Sequence, residues 1–338
     1  LGINAALVGF GAVARHGHLP WYLNHPTVEL TAVVEPTARG RAASQALMPD
    51  VPVFSSLDDL LRAQKVTFVD ITAQPAAHCE LVIKAAATGI HVICEKPFVT
   101  SCQELQEIEL VRRHSRSIIA ACHNWYFAPA IRRGLEFVAA GLVGEPNSVY
   151  FAARRPQSAR GADHWKPTWR QCAREGGGIL GDLGYHGFYL TSRIFQCAPI
   201  SVQADCIHVA GSEEEAESAA SVALDYGQGK RAEFALSWLN PVRETVLQVY
   251  GSRGSLVIEG DALRLRSDGK NDIEERFESL TVDSWHAAWI GDTLDWFLGE
   301  IQNGDLNTCW QDIQWSVSAL DAAYDSIKSG EAIAASIH

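Results

Sequence analysis

Short apolar runs alternate with amphipathic stretches through the first third of the chain. Ile3–Val8, Leu30–Val34, Thr67–Thr72, His91–Cys94 and Ser117–Cys122 are apolar and bounded by turn residues. That is the pattern of strands buried on both faces. Leu57–Gln64, Ala76–Thr88 and Cys102–His114 lie between them with helical spacing. Strands alternating with helices of this length predict βαβ units and a parallel sheet.

The rhythm changes after about Cys122. Phe127–Ala140 reads as a helix ended by Gly141, and Asn147–Arg155 as a strand. Pro156–Glu175 is polar and holds Trp165 and Trp169. Gly176–Gly178 opens an apolar helix through Phe195. From Ile200 to Arg266 strands alternate with turns, and Ser221–Tyr226 with Arg231–Trp238 flank Gly227-Gln228-Gly229 as a hairpin. Helical stretches around His286–Gln302 and Trp310–Ser329 follow. Glu213–Glu215 with Glu217 reads as a solvated charged loop. No internal repeat is visible. The pattern implies two domains, 1–122 and 123–338, as suits a chain of 338 residues.

Composition narrows the function classes. Charged residues are 20% and apolar residues 47%, ordinary for a globular protein. Lys+Arg is 28 against Asp+Glu 40, a net charge of -12. That argues against nucleic acid or an anionic membrane as partner. The eight cysteines include no C-x-x-C pair and no zinc-ligand spacing. Buried reduced thiols in a cytoplasmic protein, and no metal site, are expected. No apolar stretch is long enough for a membrane span. With a strand starting at Ile3, no signal peptide is expected within the sequence.

Gly9-Phe10-Gly11-Ala12-Val13-Ala14 follows the first strand and opens a helix, fitting G-x-G-x-x-G/A. Gly9 permits the tight turn, and Gly11 lets backbone N–H groups approach a pyrophosphate at the helix N-terminus. Glu35 ends the second strand. A carboxylate there accepts from the ribose hydroxyls of NAD and repels a 2′-phosphate. Arg39 and Arg41 nearby leave NADP open.

Cys94-Glu95-Lys96-Pro97 ends the strand His91–Cys94. Ligands of doubly wound sheets bind beyond the carboxyl ends of strands, although Lys-Pro there is also an ordinary turn. Asp182 and His186 stand four residues apart on an otherwise apolar helix, so they share a face. A carboxylate beside an imidazole orients it and favours its charged form.

These motifs resemble the glucose–fructose oxidoreductase / inositol dehydrogenase (Gfo/Idh/MocA) family. The resemblance rests on GFGAVA at 9–14 and Glu35, Pro75 with His78, and CEKP at 94–97. Asn124 with Phe127 and Pro129, GLVGEP at 141–146, GGGILGDLGYH at 176–186 and YGSRGSL at 250–256 complete it. It implies an α/β fold. A Rossmann dinucleotide-binding domain (1–122) precedes a substrate-binding and oligomerisation domain (123–338) with an open, mostly antiparallel sheet. It implies a catalytic set Lys96, Asp182 and His186, and a Lys-Pro peptide that is often cis. Thr72, Gln74, Pro75, His78, Glu95 and Pro97 join Gly9, Phe10, Gly11, Ala12, Val13, Glu35 and Lys96 as cofactor-side residues. Asn124, Tyr126, Arg154, Trp165, Asp182 and His186 are the substrate-side candidates. Many relatives carry Arg in place of Tyr126 and Asp in place of Tyr189, which weakens the transfer of any particular substrate.

The implied activity is an NAD(P)-dependent dehydrogenase acting on a secondary hydroxyl or ketone of a sugar, amino-sugar or cyclitol. His186 takes the hydroxyl proton and Lys96 stabilises the alkoxide, while Asp182 keeps His186 in place. An NAD-dependent glycosidase and a dinucleotide-sensing regulator are the alternatives. A homodimer or homotetramer is expected, because a sheet covered on one side leaves an apolar face to hide. The basic stretch Arg154, Arg155, Arg160, Lys166, Arg170 and Arg174 suits either an anionic substrate or acidic residues of a neighbouring subunit.

Overall fold

The computed structural model describes residues 2–156, 168–208, 216–269, 271–282, 285–304 and 308–335. The chain divides into two compact units, Leu1–Asn124 with Trp285–Ile313, and Trp125–Ser284 with Gln314–His338. A single cut after residue 122 does not describe this division, because Trp285–Ile313 returns to the first unit.

The first unit is built on a six-stranded parallel sheet. Its strands are β1 (Ile3–Val8), β2 (Val28–Val34), β3 (Val53–Phe54), β4 (Phe68–Ile71), β5 (His91–Cys94) and β6 (Ile119–Ala121). They lie in the order β3-β2-β1-β4-β5-β6. The order reverses between β1 and β4, and ligands bind doubly wound sheets at that crevice. β1 and β4 are almost wholly buried, which is why they read as unbroken apolar runs. Helices α1 (Leu19–Asn24), α2 (Ala38–Leu47), α3 (Leu57–Ala63), α4 (His78–Ala87) and α5 (Cys102–Arg112) connect them. Thr37, Ser56 and Ser101 cap α2, α3 and α5 by accepting a backbone N–H. Ile290, Leu294, Phe297 and Leu298, far along the chain, join the core around Leu7, Val33, Phe68 and Ile93.

The second unit carries a nine-stranded mixed sheet. Its strands are β7 (Pro146–Arg154), β8 (Ser201–Ile207), β9 (Ala219–Gly227), β10 (Lys230–Ser237), β11 (Glu244–Gly251), β12 (Gly254–Glu259), β13 (Ala262–Ser267), β14 (Ile273–Arg276) and β15 (Ile333–Ala334). The order is β14-β13-β12-β11-β7-β10-β9-β8-β15. Only β7 and β10 pair in parallel among these neighbours. α6 (Pro129–Ala139) packs on β12 and β13, and α7 (Tyr185–Phe195) on β7 and β10. α8 (Ala287–Asn303) belongs to the first unit, and α9 (Thr308–Ser329) runs from the first into the second.

The strand and helix pattern of the sequence is reproduced with some differences. β3 and β15 are two residues each, too short for any periodicity to register. The stretch before α6 is a 3-10 turn, Asn124–Phe127, so the helix begins at Pro129. The exposed positions of β9 and β10 include Ser221, Asp225, Arg231 and Glu233. The exposed face of these two strands is thus mostly polar, with Ala223 among it. Among the described residues no helix is long and apolar enough to cross a membrane.

Candidate active site

The loop Gly9–Val13 leaves β1 at the point where the strand order reverses. Gly9 has φ +96°, and a Cβ there would lie 2.9 Å from the Ala73 nitrogen, so only glycine fits. Gly11 is exposed, and a Cβ on it would meet nothing within 4 Å. That open, side-chain-free loop is the cradle a pyrophosphate needs. Phe10 and Ala12 are buried beneath it. Thr72 ties β4 to the loop by donating to the Gly9 carbonyl at 2.9 Å. Gln74 is exposed, and Pro75 begins a 3-10 turn beside it.

Glu35 fits the ribose role. It is buried, with Oε2 accepting the Phe10 N–H at 2.9 Å and Oε1 accepting the Thr37 N–H at 2.9 Å and its hydroxyl at 2.6 Å. The carboxylate is thus fixed against the phosphate-binding loop. Arg41 donates to the Glu35 and Pro36 carbonyls at 3.1 and 2.6 Å, and Arg39 is exposed. The structure commits Arg41 to backbone. Kinetics with both cofactors are expected to favour NAD in kcat/KM, and Glu35→Ser to narrow that preference by roughly tenfold or more, since like charges brought together cost several kcal/mol. A wild-type preference for NADP would show the arginines dominating.

Lys96 is half-buried, and its peptide to Pro97 is cis. Its N–H donates to Glu95 Oε2 at 3.0 Å. His78 is fully buried: Nδ1 lies 2.9 Å from the Pro97 carbonyl and Nε2 3.0 Å from that of Ala73. Burial lowers its proton affinity, against the pull of those carbonyls. The geometry makes His78 a clamp between the exit of β4 and the Lys-Pro turn. A ring with no exposed surface does not offer the direct cofactor contact expected of it.

The second cluster lies in the second unit. A π-turn, Leu180–Gly184, precedes α7 and is closed by Tyr185 N–H to the Leu180 carbonyl. The plain α-helix expected over this stretch is therefore widened by one residue at Asp182, a distortion often found at functional sites. Asp182 Oδ1 accepts from Arg170 Nε at 3.0 Å, and Arg170 stacks on Trp169. His186 Nδ1 shares a 2.6 Å hydrogen bond with Tyr189 Oη, and its ring stacks on Trp125 at 4.4 Å and 13°. Tyr189 Oη also accepts the Trp125 N–H at 3.2 Å. Tyr189 and Trp125 thus both hold the His186 ring, a task assigned from sequence to Asp182 alone. A departure from the family pattern at position 189 was the available signal.

Glu217 corrects another expectation. It is 4% exposed rather than solvated. Its Oε1 accepts the Leu180 N–H at 2.9 Å, and its backbone carbonyl accepts that of Ile179 at 3.1 Å. One residue thus caps the start of the helical stretch that bears Asp182 and His186. Gly178 has φ +115°, and a Cβ on it would overlap the Glu217 carboxylate. Burial pushes Glu217 up to about 7, against the stabilising Leu180 N–H.

The remaining substrate-side candidates divide. Asn124 is buried in the first unit. Tyr126 donates to the Tyr189 carbonyl at 2.8 Å and packs on its ring. Arg154 pairs with Glu244 at 2.6 Å and donates to Tyr150 Oη. Arg155 is buried, donating to backbone carbonyls and to Thr245 Oγ1 at 3.0 Å. Trp165, Arg160 and Lys166 lie outside the described residues. Arg154, Arg155 and Arg170 thus have partners within the chain itself.

The sequence profile of the oxidoreductase family with an NAD-binding Rossmann fold matches residues 3–121, and that of the GFO/IDH/MocA C-terminal domain matches residues 131–257. The chain is 26% identical over 187 residues to the uncharacterized protein YMR315W of Saccharomyces cerevisiae, covering 54% of this chain and 53% of that one. It is 26% identical over 184 residues to D-glucoside 3-dehydrogenase of Escherichia coli, covering 54% and 51%. The matches thus span about half the length of these relatives. The fold is shared with levoglucosan dehydrogenase solved with NADH and levoglucosan, at TM-score 0.86 and 16% identity, over 99% of this chain and 100% of that one. The two profile matches, one on each side of the chain, make this protein a member of the Gfo/Idh/MocA oxidoreductase family.

Proposed function

We propose that the protein transfers a hydride between a nicotinamide dinucleotide, NAD in preference to NADP, and a secondary hydroxyl or ketone of a sugar, amino-sugar or cyclitol. The observation that carries this reading is His186, a buried imidazole braced by Tyr189 and Trp125 on a π-distorted helix. The D-glucoside and levoglucosan dehydrogenases among its relatives and fold neighbours support the substrate class.

A bound dinucleotide supplies the hydride acceptor or donor. The residues fit it: the Gly9–Val13 loop leaves room for its phosphates and Glu35 presents a fixed carboxylate for its ribose. His186 then accepts the hydroxyl proton in oxidation and returns it in reduction. Lys96 supports the oxygen's developing negative charge. Asp182, paired with Arg170, brings a carboxylate to the same helical stretch.

A panel of sugars, glycosides and cyclitols followed at the NADH absorbance with both cofactors tests this. A member of the panel that gives NADH with saturable kinetics supports the reading. Release of aglycone with no net NADH would replace it with a redox-neutral glycosidase.

A further inference from the structure

Two buried carboxylates face one buried imidazole inside the first unit. His18 closes the π-turn Ala14–His18, which continues directly from the Gly9–Val13 loop, and it has no exposed surface. Its Nδ1 lies 2.8 Å from Asp70 Oδ2 and its Nε2 3.0 Å from Glu95 Oε1. Tyr22 donates to the same Asp70 oxygen at 3.0 Å. The other oxygen of Glu95 accepts the Lys96 N–H.

We propose that His18, acting through Glu95, is a positioning residue for Lys96. The proposal rests on the reading of Lys96 as a group of the reaction. A neutral imidazole has one N–H and one lone pair, so it would satisfy one carboxylate and repel the other. The imidazolium donates to both. Its charge is then what allows Glu95 to stay ionised in a buried place, with one oxygen toward His18 and one on the Lys96 backbone.

The surrounding groups leave His18 as the buried counter-ion. Burial by itself would lower its proton affinity, but Asp70 and Glu95 raise it to about 10. Burial likewise opposes the ionisation of Glu95, and His18 with Lys96 outweighs it and holds the carboxyl below its usual range. Burial pushes the Cys94 and Cys122 thiols well up, the Tyr22 phenol well up, and His123 down to about 3. These four are therefore uncharged near neutrality. His78, lowered by burial, approaches from the far side of the Lys-Pro turn.

The donor atoms of His18, Glu95 and Cys122 also lie within 4.8 Å of one another, a spacing that suits a metal ion. An imidazole protonated on both nitrogens has no lone pair to give a metal, and a protonated thiol is a poor ligand. The cluster is better read as an internal ion pair.

The sign of the pH effect follows. His18 binds its proton more tightly folded than unfolded, so its stabilisation is complete below its ordinary value and is lost progressively as pH rises from there through about 10. Between pH 6 and 9 the His18 imidazolium and the Glu95 carboxylate of the wild type keep their charges. Without the cation, Glu95 can stay in place only by taking a proton, and rising pH drives it out of register.

The test uses the full chain with saturating cofactor and the best substrate. His18→Gln is expected to lower kcat roughly 10- to 100-fold, the scale of a misplaced catalytic group, with the KM for NAD within a few-fold. Its kcat should also fall between pH 6 and 8 relative to the wild type's own profile over that range. Adding Glu95→Gln, which keeps an acceptor for the Lys96 N–H, should abolish that fall. Unchanged kcat in folded His18→Gln would overturn the proposal. Where that variant does not fold, nitrogen NMR of the wild-type ring at pH 8 decides: two protonated nitrogens support it, a neutral ring sinks it. Lys96→Ala in the same assay separates the two readings. If that variant turns over normally, the role of Lys96 fails; if it is inactive while His18→Gln is not, only the positioning role fails.

Discussion

Lys96→Ala is expected to bind NAD nearly normally and to turn over ~100-fold or more slowly, the usual loss when acid–base or oxyanion support is removed. The backbone of the turn is held by Glu95 on one side of Lys96 and by His78 on the other, so truncating the side chain leaves the loop in place. His186→Ala should give a similar loss. Here the neighbours matter: Tyr189 and Trp125 lose the ring they brace but keep their packing on Tyr126 and Phe151. Isothermal titration with NAD and steady-state kinetics on the same preparations check both halves. Unchanged kcat in either variant would remove that residue from the mechanism. Weakened NAD binding with an unchanged kcat would make Lys96 a cofactor ligand only.

Gly178→Ala is the substitution expected to cost the most stability. The residue sits at φ +115°, where a side chain is strained by ~1–3 kcal/mol, and its Cβ would displace the Glu217 carboxylate from the Leu180 N–H. Thermal unfolding should show a fall of many degrees, and, on the proposed role of His186, the surviving folded protein should have a reduced kcat because the start of the helical stretch that bears it is uncapped. A melting temperature within a degree or two of wild type would mean that the turn relaxes freely. Glu217→Gln separates charge from shape at the same place. The folded protein holds the Glu217 proton up to about pH 7, above the ordinary carboxyl range. Wild-type stability contributed by this group is therefore full at low pH and lost as pH rises through about 7, a change of about 3 kcal/mol. Glutamine does not titrate, so it should gain on wild type between pH 5 and 7.5 and keep a constant margin above. A margin that does not change with pH would show that Glu217 is ionised throughout.

The parallel sheet, the phosphate loop and Glu35 were legible because each has a local signal. Apolar runs of strand length, two glycines after the first and an acid after the second need no knowledge of distant residues. The missed features are those in which sequence distance and spatial distance part company. His18 and Asp70 meet across 52 positions, and nothing in Arg15-His16-Gly17-His18 marks one histidine as buried. Asp70, a charge inside the apolar run Phe68–Ile71, was a signal left unused. Both π-turns escape hydrophobic periodicity, since each is a single turn of five residues, too short for a period to register. Glu217 was misread because its neighbours at 213–215 are acidic, and composition averages over a residue that the fold singles out. Substrate-side residues were the least readable. Arg154, Arg155 and Arg170 looked like part of a patch awaiting an anionic substrate or the acidic residues of a neighbouring subunit, yet each finds a partner in the same chain.

The return of Trp285–Ile313 to the first unit sets the order in which this protein can be finished. Phe297 packs edge-on against Phe68 at 5.5 Å, and Ile290 and Leu294 fill the same core as β1 and β2. A ribosome delivers those residues only after the whole of the second unit's main stretch has emerged. The strands of the nucleotide-binding half, made before the second unit, therefore wait with an apolar face uncovered while the later half is free to fold. Long-range closure of this kind is slow and leaves a sticky intermediate. The vulnerable moment of biosynthesis falls between the emergence of β1–β6 and that of the helix that ends their exposure.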